Sequence, residues 1–505
     1  QTSESQKYPF RHIINIYNYI QQLCHPDSDL IKFTTLSMSR KVKNQILSAV
    51  SIEAVASDGK GVARWNNQVV FVEGVAPGDI VDIRVIRNKR NYLEAVVEQV
   101  VHRSQLRADP FCSHFGTCGG CKWQHIAYHH QLVLKRQLVI DSLQRIGGLD
   151  FPEVAETLAS PQTQYHRNKL EFTFSNRRWL NQQEINSGNL LNRNGLGFHK
   201  PRQFDKIVDI DHCYLQPDPS NHIRNSVRAY AFEHQLGFYD IRGKKGFLRN
   251  LIIRTASNGE LLVILQVGHD DPALNGLMNH LMEEYPEITS LHYVINDKGN
   301  ETFFDLPVKL YAGKGHITDS MGALQFRIGP KTFYQTNGPQ AHEVYKLVRD
   351  LASLKGKEVV YDLYTGAGTI ALFLASSAKT VVGIELVPEA IEDAKTNAQL
   401  NHLNNAHFYA GDTKDIVGDH VLNQHGSPQV VVTDPPRSGM HRDVVERLID
   451  IRPERIVYVS CNPATQARDI ALMADHYHIR SVHPVDMFPH TPHVECVVLL
   501  ESTGK

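Results

Sequence analysis

Hydrophobic and polar positions follow several different rhythms along the 505-residue chain. Between residues 41 and 103 the apolar residues come in short β-rich runs, ILSAVSIEAVA, QVVFVEGV, DIVDIRVIR and YLEAVVEQVV, punctuated by DGKG and APGD. Evenly spaced short strands broken by Gly, Pro and Asp predict a small barrel of the oligonucleotide-binding type over 38–104. The stretch HHQLVLKRQLVIDSLQRIGG reads as a helix stopped by paired glycines. Residues 165–320 alternate strand-like and polar runs, among them RNKLEFTFSNRRW, GLGFHK, FLRNLIIRTASNGELLVILQV and ITSLHYVINDKG, which predict an antiparallel or mixed sheet. From about residue 340, apolar strands alternate with helical patterns, which predicts a parallel doubly wound sheet. The domains are therefore expected at 38–104, 105–330 and 331–505. Residues 1–37 fit poorly with the rest of the chain and end just before Met38, where MSRKVKN resembles an ordinary protein start. We expect them to be an upstream extension, helical in part, with Cys24 a bystander.

Composition narrows the possibilities. Hydrophobic residues make up 42% and charged residues 21%, the balance of a soluble globular protein with two or three domains. A net charge of −1 means that any nucleic-acid surface must be local. Arg84, Arg87, Lys89 and Arg90 beside Tyr92 form one candidate phosphate patch; a solvated hairpin tip explains them equally well. Lys and Arg also outnumber Asp and Glu between Lys200 and Arg254. There is no run of eighteen apolar residues and no charged-then-apolar leader, so neither a transmembrane helix nor a signal peptide is expected. Seven unevenly clustered cysteines argue against a secreted disulfide framework and for a cytoplasmic setting with metal-binding or catalytic thiols.

The candidate chemistry collects at strand ends. VVYDLYTGAGTIAL runs from a buried strand through Asp362 to Gly366 and Gly368 and then into a helix. Glycines there let a backbone approach a ligand closely. The turn is neither a GxGxxG fingerprint, since Ile370 and Ala371 follow, nor a Walker loop. Glu385, nineteen residues after Gly366, ends a second strand and suits ribose hydroxyls. Asp412 ends HFYAGD, where an adenine amino group could be met, and Asp434 ends VVVTDPPR. Helix capping accounts for any one of these acids but poorly for all of them. The set suits S-adenosylmethionine at least as well as NAD. RIVYVSCNPATQARD puts Cys461 just past another strand, and PHTPHVECVVLL puts Glu495 at the head of the last one, with Cys496 facing the core. Far upstream, FCSHFGTCGGCKWQH gives Cys112, Cys118 and Cys121 in a C-x5-C-x2-C run, one ligand short of a four-thiolate site.

The motifs CSHFGTCGGC, FYQTN, DLYTGAG, DPPRSG, SCNPAT and HVEC, in that order over residues 41–505, resemble the RNA (uracil-C5)-methyltransferases that act on bacterial 23S ribosomal RNA. The resemblance implies a multidomain α/β protein: a TRAM-type barrel, a central α+β RNA-binding domain carrying an iron–sulfur cluster, and a Rossmann-like class I methyltransferase domain. It implies Cys461 as nucleophile and Glu495 as general base. It implies cofactor contacts at Gln335, Tyr364, Glu385, Asp412 and Asp434 beside the Gly366–Gly368 turn. Thr369 occupies a further contact position, at which some members carry asparagine. Cys213 of DIDHCYLQP becomes the fourth cluster ligand. Four thiolates suit [4Fe–4S] or zinc; the spacing leaves both open, and the resemblance favours iron–sulfur. The implied partner is 23S ribosomal RNA, with no membrane and no obligate protein partner. Transfer RNA is the alternative substrate, less favoured because those members usually lack the barrel and the cysteine motif. An inactive iron–sulfur assembly factor is a third reading, disfavoured by intact Cys461 and Glu495, and a ferredoxin-like carrier a fourth.

Overall fold

A computed structural model describes residues 43–189, 191–413 and 419–504; the expected 1–37 extension, with Cys24, lies outside them. At the N-terminal side, β1 (Ile46–Val55), β2 (Gly61–Trp65), β3 (Gln68–Val72), β4 (Ile80–Asn88) and β5 (Tyr92–His102) close into a barrel in the order β1-β2-β3-β5-β4. Alternation drives it: β4 buries Val81, Ile83 and Val85, and these meet Val70, Val72 and Leu93 inside. The five-residue β2, just after a glycine turn, is a strand the hydrophobic runs did not announce. The basic patch is partly neutralised, because β5 sets Glu98 against Arg84 and Glu94 3.6 Å from Arg87.

Helix α1 (Tyr128–Ser142) continues through a wide turn to Gly148, whose φ of 59° makes the expected glycine stop. The central sheet contains β6 (Lys169–Ser175), β7 (Gly195–Lys200), β8 (Gln203–Asp209), β9 (Leu248–Thr255), β10 (Leu261–Val267), β11 (Ile288–Ile295) and β12 (Lys309–Gly313). Its order is β12-β11-β10-β9-β6-β7-β8, with β10 and β11 parallel and the other pairs antiparallel, so the mixed sheet expected here is present. A short helix α2 (Gln182–Asn186) lies in the β6–β7 connection, and α3 (Ser220–Glu233) and α4 (Ala273–Glu284) pack on one face of the sheet. The hairpin β13 (Ile317–Met321) and β14 (Leu324–Ile328) leads to the last domain.

There, β15 (Val359–Leu363), β16 (Thr380–Glu385), β17 (Ala406–Ala410), β18 (Val430–Thr433), β19 (Arg455–Ser460), β20 (Tyr477–Val485) and β21 (Glu495–Ser502) form a sheet ordered β17-β16-β15-β18-β19-β21-β20. The helices between them are α5 (Gly338–Ala352), α6 (Thr369–Ala375), α7 (Pro388–Leu400), α8 (Asp419–His425), α9 (Arg442–Ile451) and α10 (Pro463–Met473). The first five strands are parallel, as expected, but the sheet is not parallel throughout. β21 runs antiparallel to both β19 and β20. Only residues 486–494 join β20 to β21, too few for the helical crossover that a parallel pairing needs. Apolar clusters cover both faces, α5 to α7 on one and α9, α10 and α1 on the other. Among the described residues no helix is long and apolar enough to cross a membrane.

Helix α1 fits none of the usual periodic patterns. Its inward stripe is Gln131, Lys135 and Val139, two of the three polar. The Lys135 ammonium pairs with Asp486, both side chains fully buried, and also donates to the Phe488 carbonyl at 3.1 Å. An ion pair taken out of water needs both partners, since a lone buried charge is costly. Lys135→Ala is therefore expected to lower unfolding free energy by about 3–5 kcal/mol, while Lys135→Met combined with Asp486→Leu should cost far less. Urea denaturation of the two variants checks this; equal losses would defeat the account.

Candidate active site

The glycine turn follows β15. Tyr364, Gly366 and Gly368 all have positive φ, at 64°, 56° and 79°. Asp362, buried at the strand's end, accepts from the Thr365 hydroxyl at 2.5 Å and the Ala371 amide at 3.0 Å, which fixes the turn onto the start of α6. Burial pushes its carboxyl up to about 7. The two glycines differ in what surrounds them. A Cβ on Gly366 would meet nothing within 4 Å, so that position opens into the cleft, whereas one on Gly368 would press on Ala394 at 3.0 Å and the Phe408 ring at 3.1 Å. Glu385 at the end of β16 accepts from the Gly366 amide at 3.2 Å and the Val387 amide at 3.0 Å.

These groups line one cleft of about 1420 Å³, more than a single small-molecule ligand requires. Of the residues expected to contact a cofactor, Gln335, Tyr364, Gly366, Thr369, Glu385, Asp412 and Asp434 line it; Gly368 sits behind the wall, in the core. Thr369 begins α6 and shares a hydrogen bond of 3.0 Å with the Tyr345 hydroxyl. The open space at Gly366, with a held carboxylate on the next strand, fits a nucleoside-bearing cofactor.

Cys461 and Glu495 line the same cleft. Cys461 follows the end of β19 and Glu495 begins β21; the two strands pair from Ser460 with Cys496 onward. The Gln466 amide donates to Tyr458 O at 2.9 Å and Cys496 O at 3.1 Å, pinning the two strands together beside the site. Burial, then the charges of Glu495 and Asp434, push the Cys461 thiol up to about 11, against a lowering contribution from Arg437. Glu495 is buried and its carboxyl is held well above the usual carboxylate range by desolvation and by Asp434, which is itself raised by burial. Cys496 is fully buried, on the core side as expected.

The four upstream thiols gather elsewhere. Cys112, Cys118, Cys121 and Cys213 line one largely apolar cavity, together with Phe111, Tyr214 and His490. Burial pushes Cys118 up to about 12 and Cys213 to about 11, and the thiols raise one another further. Such a group ionises together only around a cation. Among the described residues, however, no three His, Cys, Asp or Glu side chains stand close enough to hold one metal ion. A single zinc draws its thiolates to about 3.8 Å of each other; a four-iron cluster, whose ligands sit on different irons, holds them further apart.

Several cleft residues carried no sequence signal of their own. Arg437 lies in the DPPRSG loop, its carbonyl held by the Asn462 amide at 2.8 Å and its guanidinium 3.3 Å from His493 Nδ1. Phe304 and Phe333 expose their rings at the mouth, with Lys331 and Arg442 nearby in the lining.

Comparisons with known proteins agree with one another. Residues 316–503 match the tRNA (uracil-5-)-methyltransferase family and residues 48–97 match the TRAM domain. An uncharacterized RNA methyltransferase of Bacteroides thetaiotaomicron is 52% identical over 452 residues, spanning 88% of this chain and all of that relative. One from Chlorobaculum tepidum is 40% identical over 441 residues, 86% of this chain and 91% of the relative. The crystal structure of Pyrococcus abyssi tRNA (uracil-54, C5)-methyltransferase with S-adenosyl-L-homocysteine superimposes with a TM-score of 0.69 at 30% identity, covering 90% of this chain and all of that one.

The contrast between the two glycines is testable. Gly368→Ala combines left-handed strain with crowding, so a stability loss of roughly 1–3 kcal/mol is expected. Gly366→Ala should retain more stability and lose cofactor affinity instead. Denaturation midpoints and calorimetric titration separate the two, and an unchanged midpoint for Gly368→Ala would refute the packing argument.

Proposed function

The chain belongs to the tRNA (uracil-5-)-methyltransferase family of S-adenosylmethionine-dependent RNA methyltransferases and carries a TRAM domain, and we propose that it methylates C5 of a specific uridine in 23S ribosomal RNA through an adduct on Cys461. The observation that carries this reading is a thiol and a buried carboxyl at adjoining strand ends, in the cleft that also holds the glycine turn. C5 of uracil is a weak nucleophile. In the proposed reaction the Cys461 thiolate bonds to C6, and the displaced electron pair makes C5 an enolate carbon. When bound, S-adenosylmethionine supplies a methyl group on a positive sulfur, which C5 attacks. Glu495 then takes the C5 proton, the C5–C6 double bond re-forms and the thiolate leaves. In its ionised form, a carboxylate whose proton affinity is raised by burial is a stronger base for a carbon-bound proton than an exposed one. The target base reacts only outside its stack, and the exposed rings of Phe304 and Phe333 beside Lys331 suit bases at the cleft mouth.

Within this reading, Glu385 holds the ribose, Asp412 the adenine amino group, and Gln335, Tyr364, Thr369 and Asp434 complete the cofactor's surroundings. Cys112, Cys118, Cys121 and Cys213 would hold a closed [4Fe–4S] cluster with a structural role. Two features support that role. A Cβ on Gly119, inside the cysteine run, would lie 2.9 Å from the His199 carbonyl, so the run rests on the β7–β8 turn. Arg202 of that turn pairs with Glu73 of the barrel. The cysteine run thus rests on a turn of the central sheet that is itself tied to the barrel. A transfer-RNA substrate is the second reading, favoured by the Pyrococcus abyssi enzyme, which is matched along its whole length; that breadth weakens the barrel as a discriminator.

Tritiated S-adenosylmethionine with unmodified 23S ribosomal RNA and, separately, transfer RNA, followed by nucleoside analysis, identifies the substrate. Label in transfer RNA alone would overturn the ribosomal assignment. Cys461→Ala should abolish the denaturation-stable RNA adduct, and Glu495→Gln should accumulate it. Normal methylation by Cys461→Ala would sink the nucleophile assignment. Protein purified without oxygen should absorb near about 400 nm and contain about four irons; stoichiometric zinc with no iron would defeat the cluster.

A further inference from the structure

The loop between β20 and β21 delivers Glu495 to the cleft, and it is fastened along its length. Lys135 of α1 holds Asp486 and the Phe488 carbonyl. Asn337, the N-cap of α5, donates to the Met487 carbonyl at 3.0 Å. His490, at a φ of 62°, is gripped from two sides. Its carbonyl accepts the Lys122 and Trp123 amides, both at 2.9 Å, and the Gln131 side chain accepts from its amide at 2.9 Å and meets its Nδ1 at 3.1 Å. Pro492 sits against Gly59 in the barrel's first turn, where an added Cβ would lie 2.9 Å away. The His493 amide donates to the Thr491 hydroxyl at 3.3 Å, and its ring Nδ1 stands 3.3 Å from Arg437 Nη2.

We propose that this loop, gripped by Gln131 at His490, is a strap that holds His493 where its ring accepts an N–H from Arg437, thereby keeping the guanidinium beside the Cys461 thiol; His493 is a positioning residue for the nucleophile. The inference rests on the reading of Cys461 as nucleophile. Arg437 is exposed, and the bonds to its carbonyl fix its backbone without aiming its head. Its head matters because Arg437, Cys461, Asp434 and Glu495 line one cleft, where the two acids disfavour the thiolate and Arg437 favours it. His493 suits the role of acceptor: burial pushes its ring down to about 4, reinforced by Arg437, Lys122, Lys135 and Arg167, so the ring is uncharged at physiological pH.

The test follows denaturation-stable adduct formation on RNA against pH in the full-length protein, with S-adenosylmethionine affinity measured alongside. In the wild type, adduct formation accelerates as pH rises, because the thiolate is the attacking form. His493→Ala should move that profile upward by about one pH unit, slowing adduct formation roughly tenfold near neutrality with cofactor affinity kept. His493→Asn, whose amide oxygen can stand near Nδ1, should restore most of the rate. Gln131→Ala should shift the profile in the same direction by a smaller amount. An unmoved profile in His493→Ala with intact cofactor binding overturns the proposal. If His493→Ala loses cofactor binding, an unmoved profile in Gln131→Ala overturns it instead. Failure of the underlying reading is distinguishable, since Cys461→Ala would then still form the adduct.

Discussion

One reversal of strand direction makes the candidate chemistry possible. In a parallel sheet, one edge receives the ends of strands and the opposite edge their beginnings. Cys461 comes from the end of β19 and Glu495 from the beginning of β21, so two parallel strands would place them at opposite edges. They meet because β21 enters the sheet antiparallel between β19 and β20. The shortness of the preceding loop enforces that direction. The five parallel strands supply the glycine turn and the thiol, and the reversed strand supplies the Glu495 carboxyl in the same cleft.

The electrostatics of the cleft work against ionisation of the Cys461 thiol. Three acidic groups, Asp434, Glu495 and Asp362, stand on that edge, and desolvation raises each of them. A thiolate formed among them needs positive charge close by. Arg437 provides one such charge, and a sulfonium cofactor brings another when it binds. A desolvated, acid-lined neighbourhood of this kind keeps the thiol protonated at rest and favours ionisation once a cation arrives.

Much of this was legible in the chain, for identifiable reasons. Gly366, Glu385, Asp412, Asp434 and Cys461 each follow a recognisable apolar strand, and strand ends in a doubly wound sheet share an edge. The barrel showed as period-2 runs between turn signals. The direction of β21 did not show, because a fully buried run such as CVVLL reads the same either way. β2 and β13 were too short to stand out, and Gly368 looked like its neighbour Gly366 although only one of them faces the cleft. Cys213 is visible as a partner of Cys121 only through family resemblance, since ninety-two residues separate them. Arg437 and His493 carry no periodic signal; loops from two different strands bring them together. The inward face of α1 is polar, so amphipathicity could not reveal what it grips.

The buried contact between Lys135 and Asp486 also bears on how the molecule is made. Its partners are 351 positions apart in the chain. During translation α1 leaves the ribosome long before the residues that neutralise its lysine exist. Until then its Leu134 and Leu138 can pack on Trp123 and Ile126, but the face bearing Lys135 carries a charge that resists burial. The cysteine run beside it waits as well, because His490, which caps the Lys122 and Trp123 amides, is translated equally late. Final packing of the Lys135 face of α1 is therefore tied to arrival of the β20–β21 loop, a contact whose sequence separation carries a loop-closure cost.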